Sequence, residues 1–205
     1  TFSSNQHNNI DTQAGAKVEI HNSQCNSSKG WSGLYVGDRN SFARATGCDI
    51  SNNQRNNIHA QTGAKVEIHD CQCNSSKDHC GLGVFDSISS AVANACSFCS
   101  NEQSNVLVRG RARVELRESK CEESKCESGL VVYRGCTATA SSCAINSNQA
   151  SNVMALDWGK VELRESQCNS SKGGGGLYIN HGGSAIASSC SISNNYRSNV
   201  QVRDG

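Results

Sequence analysis

The chain has 205 residues, with 19 Lys and Arg against 18 Asp and Glu and a net charge of +1. That balance gives no electrostatic footprint for nucleic acid, and no run of about 18 apolar residues is present to span a membrane. Thirteen cysteines, 5% aromatic residues and no proline are the compositional oddities.

Taken from the N-terminus, the sequence repeats itself. Phe2 belongs to a partial unit, and Asn9-Ile10 is the first of a series of marker dipeptides. The block GAKVEIHNSQCNSSK (15–29) follows, then Gly33-Leu34. The same order returns as Asn57-Ile58, GAKVEIHDCQCNSSK (63–77) and Gly81-Leu82. It returns again as Asn105-Val106, RARVELRESKCEESK (111–125) and Gly129-Leu130. The last round is Asn152-Val153, GKVELRESQCNSSK (159–172), Gly176-Leu177 and Asn199-Val200. Blocks start 48 residues apart, and successive markers are 23 or 24 apart, so the unit is a coil in two alternating flavours.

Each coil holds three short stretches of strand character. The first is typified by Leu34-Tyr35-Val36 and Val106-Leu107-Val108. The second alternates apolar and polar residues, as in Lys65-Val66-Glu67-Ile68-His69. The third surrounds a cysteine: Cys25, Cys48, Cys73, Cys96, Cys121, Cys143, Cys168 or Cys190. Period-two alternation over so few residues means strands with one buried face, and Asn, Ser and Gly between them supply turns. Three strands per coil, stacked in parallel, predict an all-β, right-handed, single-stranded parallel β-helix of about eight to nine coils.

The Asn and Gly markers are expected in a left-handed backbone conformation, and the asparagines are expected to stack. The eight marker cysteines are expected as one interior ladder of small apolar groups. Ala43, Ala91, Ala138 and Ala185 are expected level with Ile20, Ile68, Leu116 and Leu163, small over large. The triplets Lys17/Glu19/His21, Lys65/Glu67/His69, Arg113/Glu115/Arg117 and Lys160/Glu162/Arg164 should form a solvated, ion-paired wall. Residues 1–205 form a single domain, which begins and ends mid-coil without caps and so suggests a piece of a longer protein.

Cys71, Cys80, Cys99, Cys126 and Cys136 lie outside the marker series. An odd total, with Cys80 and Cys126 about two coils apart, speaks for mostly free thiols and leans toward a reducing intracellular compartment. Three sequons at Asn26, Asn74 and Asn169 point the other way, toward secretion, unless they are turn residues copied by duplication. The Cys96-x-x-Cys99 pair lacks a second pair, so no metal is assigned and no cofactor is implied.

The Asn-x-Val and Gly-Leu-x-Val alternation is carried by Ser128-Gly129-Leu130-Val131-Val132-Tyr133 and Ala144-Ile145-Asn146-Ser147-Asn148. It resembles the right-handed β-helix repeats of the pectate-lyase-like superfamily. The repeat pattern is most similar to the β-helix region of F-box/β-helix proteins and of related periplasmic and polysaccharide-modifying proteins. The resemblance implies polysaccharide binding along the outer face of the first strand, with acidic groups, a basic residue and sometimes calcium. The Asp-Pro-His motif of alginate epimerases is absent, as are the Asn-Thr-Asp and Gly-His-Gly patterns of polygalacturonases. Those departures count against catalysis in this segment.

Function must therefore be sought where the repeats differ. Outward positions of the first strand are unusually apolar from the fourth coil to the eighth. Tyr35, Phe85, Leu107, Val131, Tyr133, Met154, Leu156 and Tyr178 form the expected binding face, for a protein partner or larger assembly, or for a polysaccharide. A polar column follows the first strand: Asp38, Asp86, Arg134, Asp157, His181 and Asp204. Arg134, Asp157 and His181 occupy consecutive coils, roughly 5 Å apart, and are the candidates for acid/base chemistry beside a carboxylate. A scaffolding rod is the first reading, and a polysaccharide lyase, hydrolase or epimerase the alternative.

Overall fold

The computed structural model describes residues 1–203. Among them there is no helix, and every pairing between strands is parallel. Nine strands form the first sheet, from Ile10–Thr12 through Val106–Arg109 to Val200–Val202. Eight form the second, from Lys17–His21 to Ser184–Ser188. The chain passes from the first sheet to the second and back in every coil, as expected of a β-helix.

The third stretch is narrower than the sequence suggests. Only Ser97–Cys99 and Lys120–Glu122 pair as strands; elsewhere it is reduced to single bridges such as Gln24 to Asp49 and Ala144 to Gln167. Left-handed residues close in on both sides of it. In one coil these are Asn22 (φ 46°) and Ser27 (φ 59°), in another Glu118 (φ 50°) and Glu123 (φ 57°). Four residues remain between the two kinks, so three at most pair as a strand and in most coils one residue alone bridges to the next.

Those kinks, rather than the Asn and Gly markers, carry the positive φ angles. The first corner uses Asp38, Asp86, Arg134, Asp157 and His181 among others, with φ between 46° and 70°. A left-handed non-glycine residue costs about 1–2 kcal/mol. Here the corners continue the ladder, as Ala95 N–H donates to Arg117 O (3.0 Å) and Glu118 N–H to Ser141 O (2.9 Å).

The markers have a different role. Inside the rod the asparagine side chains form one zigzag chain of hydrogen bonds. Asn57 Nδ2 donates to Asn101 Oδ1 (3.1 Å), Asn101 to Asn105 (2.9 Å), Asn105 to Asn148 (3.0 Å), Asn148 to Asn152 (2.9 Å) and Asn152 to Asn195 (2.9 Å). The marker asparagines alternate with a second set, Asn53, Asn101, Asn148 and Asn195, four residues ahead of the next marker. Glycine stands at the intervening markers because that second set needs the space. A Cβ on Gly81 would meet Asn101 Nδ2 at 2.7 Å, and one on Gly129 would meet Asn148 Nδ2 at 2.5 Å.

The cysteines do not form a single ladder. Continuing the bridge register places Cys25, Cys73, Cys121 and Cys168 level with Ile50, Phe98, Ile145 and Ile192, small under large. Two residues earlier, Cys48, Cys96, Cys143 and Cys190 share a second column with Cys71, Ser119 and Ser166. Cys71 is thus part of the repeat, not an extra. The uneven cysteine steps, alternating 25 with 22 or 23 residues, are the trace of the two columns. All thirteen are free, and burial pushes the Cys25 and Cys168 thiols up to about 12, so they pack as small apolar groups.

The second sheet also sits differently from expectation by two residues. Ile20 and Ile68 are level with Ala45, whereas Ala43 lies between Val18 and Val66. Large still alternates with small, as a narrow interior requires. On the outer side Arg44 bridges Glu19 (3.7 Å) and Glu67 (2.7 Å), and Arg117 and Arg164 pair with Glu115 and Glu162 in their own strands.

Candidate functional site

The outward residues of the first sheet align in two columns. One runs Tyr35, His59, Gly83, Leu107, Val131, Met154, Tyr178. The other, two residues further along each strand, contains Phe85, Arg109, Tyr133, Leu156 and Asn180. Side chains in a parallel sheet repeat at about 4.8 Å from coil to coil, so the columns are continuous surfaces.

Six of the eight expected face residues come together. Phe85, Leu107, Val131, Tyr133, Met154 and Leu156 line a groove of about 630 Å³ that runs along the rod. Val131 is only 6% exposed, because Leu107 and Met154 flank it as the groove's floor. Tyr35 stands in a separate hollow with His7, Asn8, Asp11 and Gln61. Tyr178 lies beyond the groove, its hydroxyl accepting a hydrogen bond from Asn180 Nδ2 (3.0 Å).

The groove has a wall that the strand pattern does not reveal. Trp31, Arg55, His79, Gln103, Glu127 and Ala150 stack in register, each two residues before a coil marker. Their corner is held by Arg55 N–H to Trp31 O (3.0 Å), Gln103 N–H to His79 O (3.1 Å) and Ala150 N–H to Glu127 O (2.9 Å). The 24-residue step was the available signal. The identities differ in every coil, so nothing marked them as one surface until the corner's curvature raised them beside the floor.

One end of the groove is closed by aromatic packing. Gly83 leaves a gap in its column, and the Phe85 ring lies across it, where a Cβ would stand 2.5 Å from Phe85 Cε2. His59 sits between Phe85 (centroids 4.7 Å apart) and Tyr35 (5.4 Å). Its Nδ1 contacts Asn56 Nδ2 (2.8 Å) and its Nε2 contacts Gln61 Oε1 (2.9 Å). An amide donor at Nδ1 and an amide acceptor at Nε2 fix the neutral tautomer protonated on Nε2. Burial holds the imidazole below its ordinary pKa.

Charge is sparse and unpaired. Arg109 is half-buried and lies over the Tyr133 ring (5.5 Å) on one side of the groove. Glu127 is on the wall opposite, where one carboxylate oxygen accepts from Ser104 Oγ (2.7 Å). Neither has an ion-pair partner among the described residues. Beside Glu127, the exposed Cys126 thiol donates to Glu102 Oε1 (3.3 Å), and that contact raises its pKa.

Arg134, Asp157 and His181 do occupy consecutive first corners. His181 Nδ1 lies 3.8 Å from Asp157 Oδ1, with both side chains largely open to solvent. Arg134 turns toward the Tyr133 ring (5.9 Å). Arg134 and Asp157 border a shallow depression with Arg111 and Trp158, on the far side of the Tyr133 column from the groove floor. Asp204, the last member of that column, lies outside the described residues. The sequon residues Asn26, Asn74 and Asn169 are half-buried and committed to the next coil, where each Oδ1 accepts a backbone N–H at 2.8 Å, from Ser51, Cys99 and Ser193.

Comparison with known proteins finds a family match. The model for the right-handed beta helix region matches residues 104–205. No curated protein matches the chain.

Proposed function

Starting from a chain that is a right-handed parallel β-helix repeat protein, we propose that it is a non-catalytic scaffold whose first-sheet groove binds a protein partner. The observation that carries this reading is the floor of the groove: Leu107, Val131, Met154 and Leu156 offer aliphatic surface and no hydrogen-bonding side chain. A sugar needs directed hydrogen bonds for its hydroxyls, whereas an apolar peptide segment needs contact area. The asparagine chain and the alternating core make the rod rigid, so the groove is preformed and costs little to order on binding.

A second reading is polysaccharide modification at the first corners. It is favoured by the Asp157–His181 contact, in which the carboxylate orients the imidazole for proton transfer beside the Arg134 coil. The residues lie on open turns, and nothing excludes water from them.

One experiment separates the two. The protein and its Met154→Arg variant are screened against a linear peptide library and a panel of neutral and acidic polysaccharides, with product masses read in parallel. The scaffold reading expects peptide binding that Met154→Arg abolishes. Altered polysaccharide, lost in His181→Ala and Asp157→Ala, would replace it with the enzymatic reading.

A further inference from the structure

The groove carries more than an apolar floor. Apart from Arg55, which stacks on Trp31 (4.3 Å) three coils away from Glu127, the groove bears Glu127 on the corner wall and Arg109 on the strand side, and neither is neutralised by an ion pair among the described residues. They belong to adjacent coils, so they flank the floor near Leu107 and Val131. Between them stands Ser128, fully buried, whose Oγ has no hydrogen-bond partner among the described residues.

That hydroxyl is anomalous within its own column. One position before the marker, Asn8 Oδ1 accepts from Ser32 N–H, Asn56 Oδ1 from Cys80 N–H, and Ser151 Oγ from Gly175 N–H. Ser104 Oγ donates to Glu127. Ser32 and Ser198 Oγ also make no hydrogen bond, but in this column Ser128 Oγ alone is both shut off from solvent and without a partner among the described residues. A buried polar group without a partner costs about 1–3 kcal/mol and calls for a reason.

We infer, building on the scaffold reading, that the groove recognises an extended peptide segment of defined charge order. Aliphatic side chains seat on Leu107, Val131 and Met154. A basic side chain meets Glu127, and an acidic one meets Arg109 across the floor. A peptide N–H is taken up by Ser128 Oγ after a change of χ1 between staggered positions. Arg109 suits the acidic side chain because a guanidinium held against an aromatic ring keeps its donors in a fixed plane. Cation and anion on opposite walls set the polarity of the bound chain, and the aliphatic floor supplies the area.

The test is a selection of random linear peptides on the full chain, repeated on the Glu127→Lys, Arg109→Glu doubly reversed variant. The wild type is expected to enrich aliphatic peptides carrying a basic and an acidic residue, and the variant the opposite charge order. Glu127→Gln should weaken a selected peptide about three- to fivefold, the effect diminishing with salt. Ser128→Ala should weaken it about fivefold without lowering the melting temperature, since it removes an unpaired hydroxyl. Peptides that bind in the groove with no charge order, and with the same affinity for Glu127→Gln and Ser128→Ala, would overturn this inference and leave the scaffold reading standing. No enriched peptide, or peptides indifferent to Met154→Arg, would overturn the scaffold reading itself.

Discussion

Replacing Asn148 by alanine tests the asparagine chain where it is most fully used. Asn148 is fully buried. Its Nδ2 donates to Cys121 O (3.0 Å) and Asn152 Oδ1 (2.9 Å), and its Oδ1 accepts from Asn105 Nδ2 (3.0 Å) and Ser124 N–H (3.0 Å). Asn105 Nδ2 keeps a second acceptor, Glu122 O (2.8 Å), so it loses little. The Ser124 N–H has no other partner and is buried, which costs about 1–3 kcal/mol, and the remaining lost bonds add about 0.5–1.5 kcal/mol each. The expected destabilisation is about 3–5 kcal/mol, read by urea unfolding against the exposed neighbour Gln149→Ala, which should stay within about 0.5 kcal/mol. Because each coil is stabilised by its neighbours, the transition should also broaden as the rod divides near its middle. Asn148→Asp should be at least as damaging, since a carboxylate offers no donor to Cys121 O. A loss below about 1 kcal/mol would refute the claim that the chain of amides holds the coils in register.

Three further outcomes are expected. Ile88 is a β-branched residue with φ of 68° and a side chain 58% exposed, so Ile88→Gly should raise stability by about 1 kcal/mol in the same unfolding assay. His59 is held below its ordinary value of 6.5 by burial; the folded state therefore takes up its proton later than the unfolded state. The stability this provides is complete above pH 6.5 and is lost as pH falls below it toward the folded value. Melting temperatures at pH 7.5 and pH 5.5 should differ less in His59→Gln than in the wild type. Cys126 is held protonated mainly by its contact with Glu102, so Glu102→Gln should speed its modification by a thiol reagent at pH 8, while the fully buried Cys73 and Cys121 stay unreactive until unfolding.

The coil itself was legible in one dimension. Markers at 23 or 24 residues with short alternating stretches leave parallel stacking as the arrangement that buries one face of every strand. The outward apolar run from Phe85 to Leu156 followed from the same alternation, because period two decides which side chains leave the rod. Conformation at the corners was not legible. Glu118, Arg134 and Asp157 adopt positive φ because the ladder must continue around the bend, and no residue preference announces that. Nor could spacing reveal that Gly81 and Gly129 are small to admit Asn101 and Asn148, since that contact joins residues 20 and 19 positions apart in sequence.

The groove belongs to both levels. Its floor is a property of the sequence, fixed once strands alternate. Its wall, with Trp31, His79, Gln103 and Glu127, belongs to the corner between the third stretch and the first strand, where one residue per coil lines the groove beside the sheet. That the chain winds, how far apart its turns lie and which residues face out could all be read from the order of residues alone. Which of those residues share a cavity emerges on folding, because a cavity depends on the angle between a strand and the corner that precedes it, and that angle is set by packing between coils.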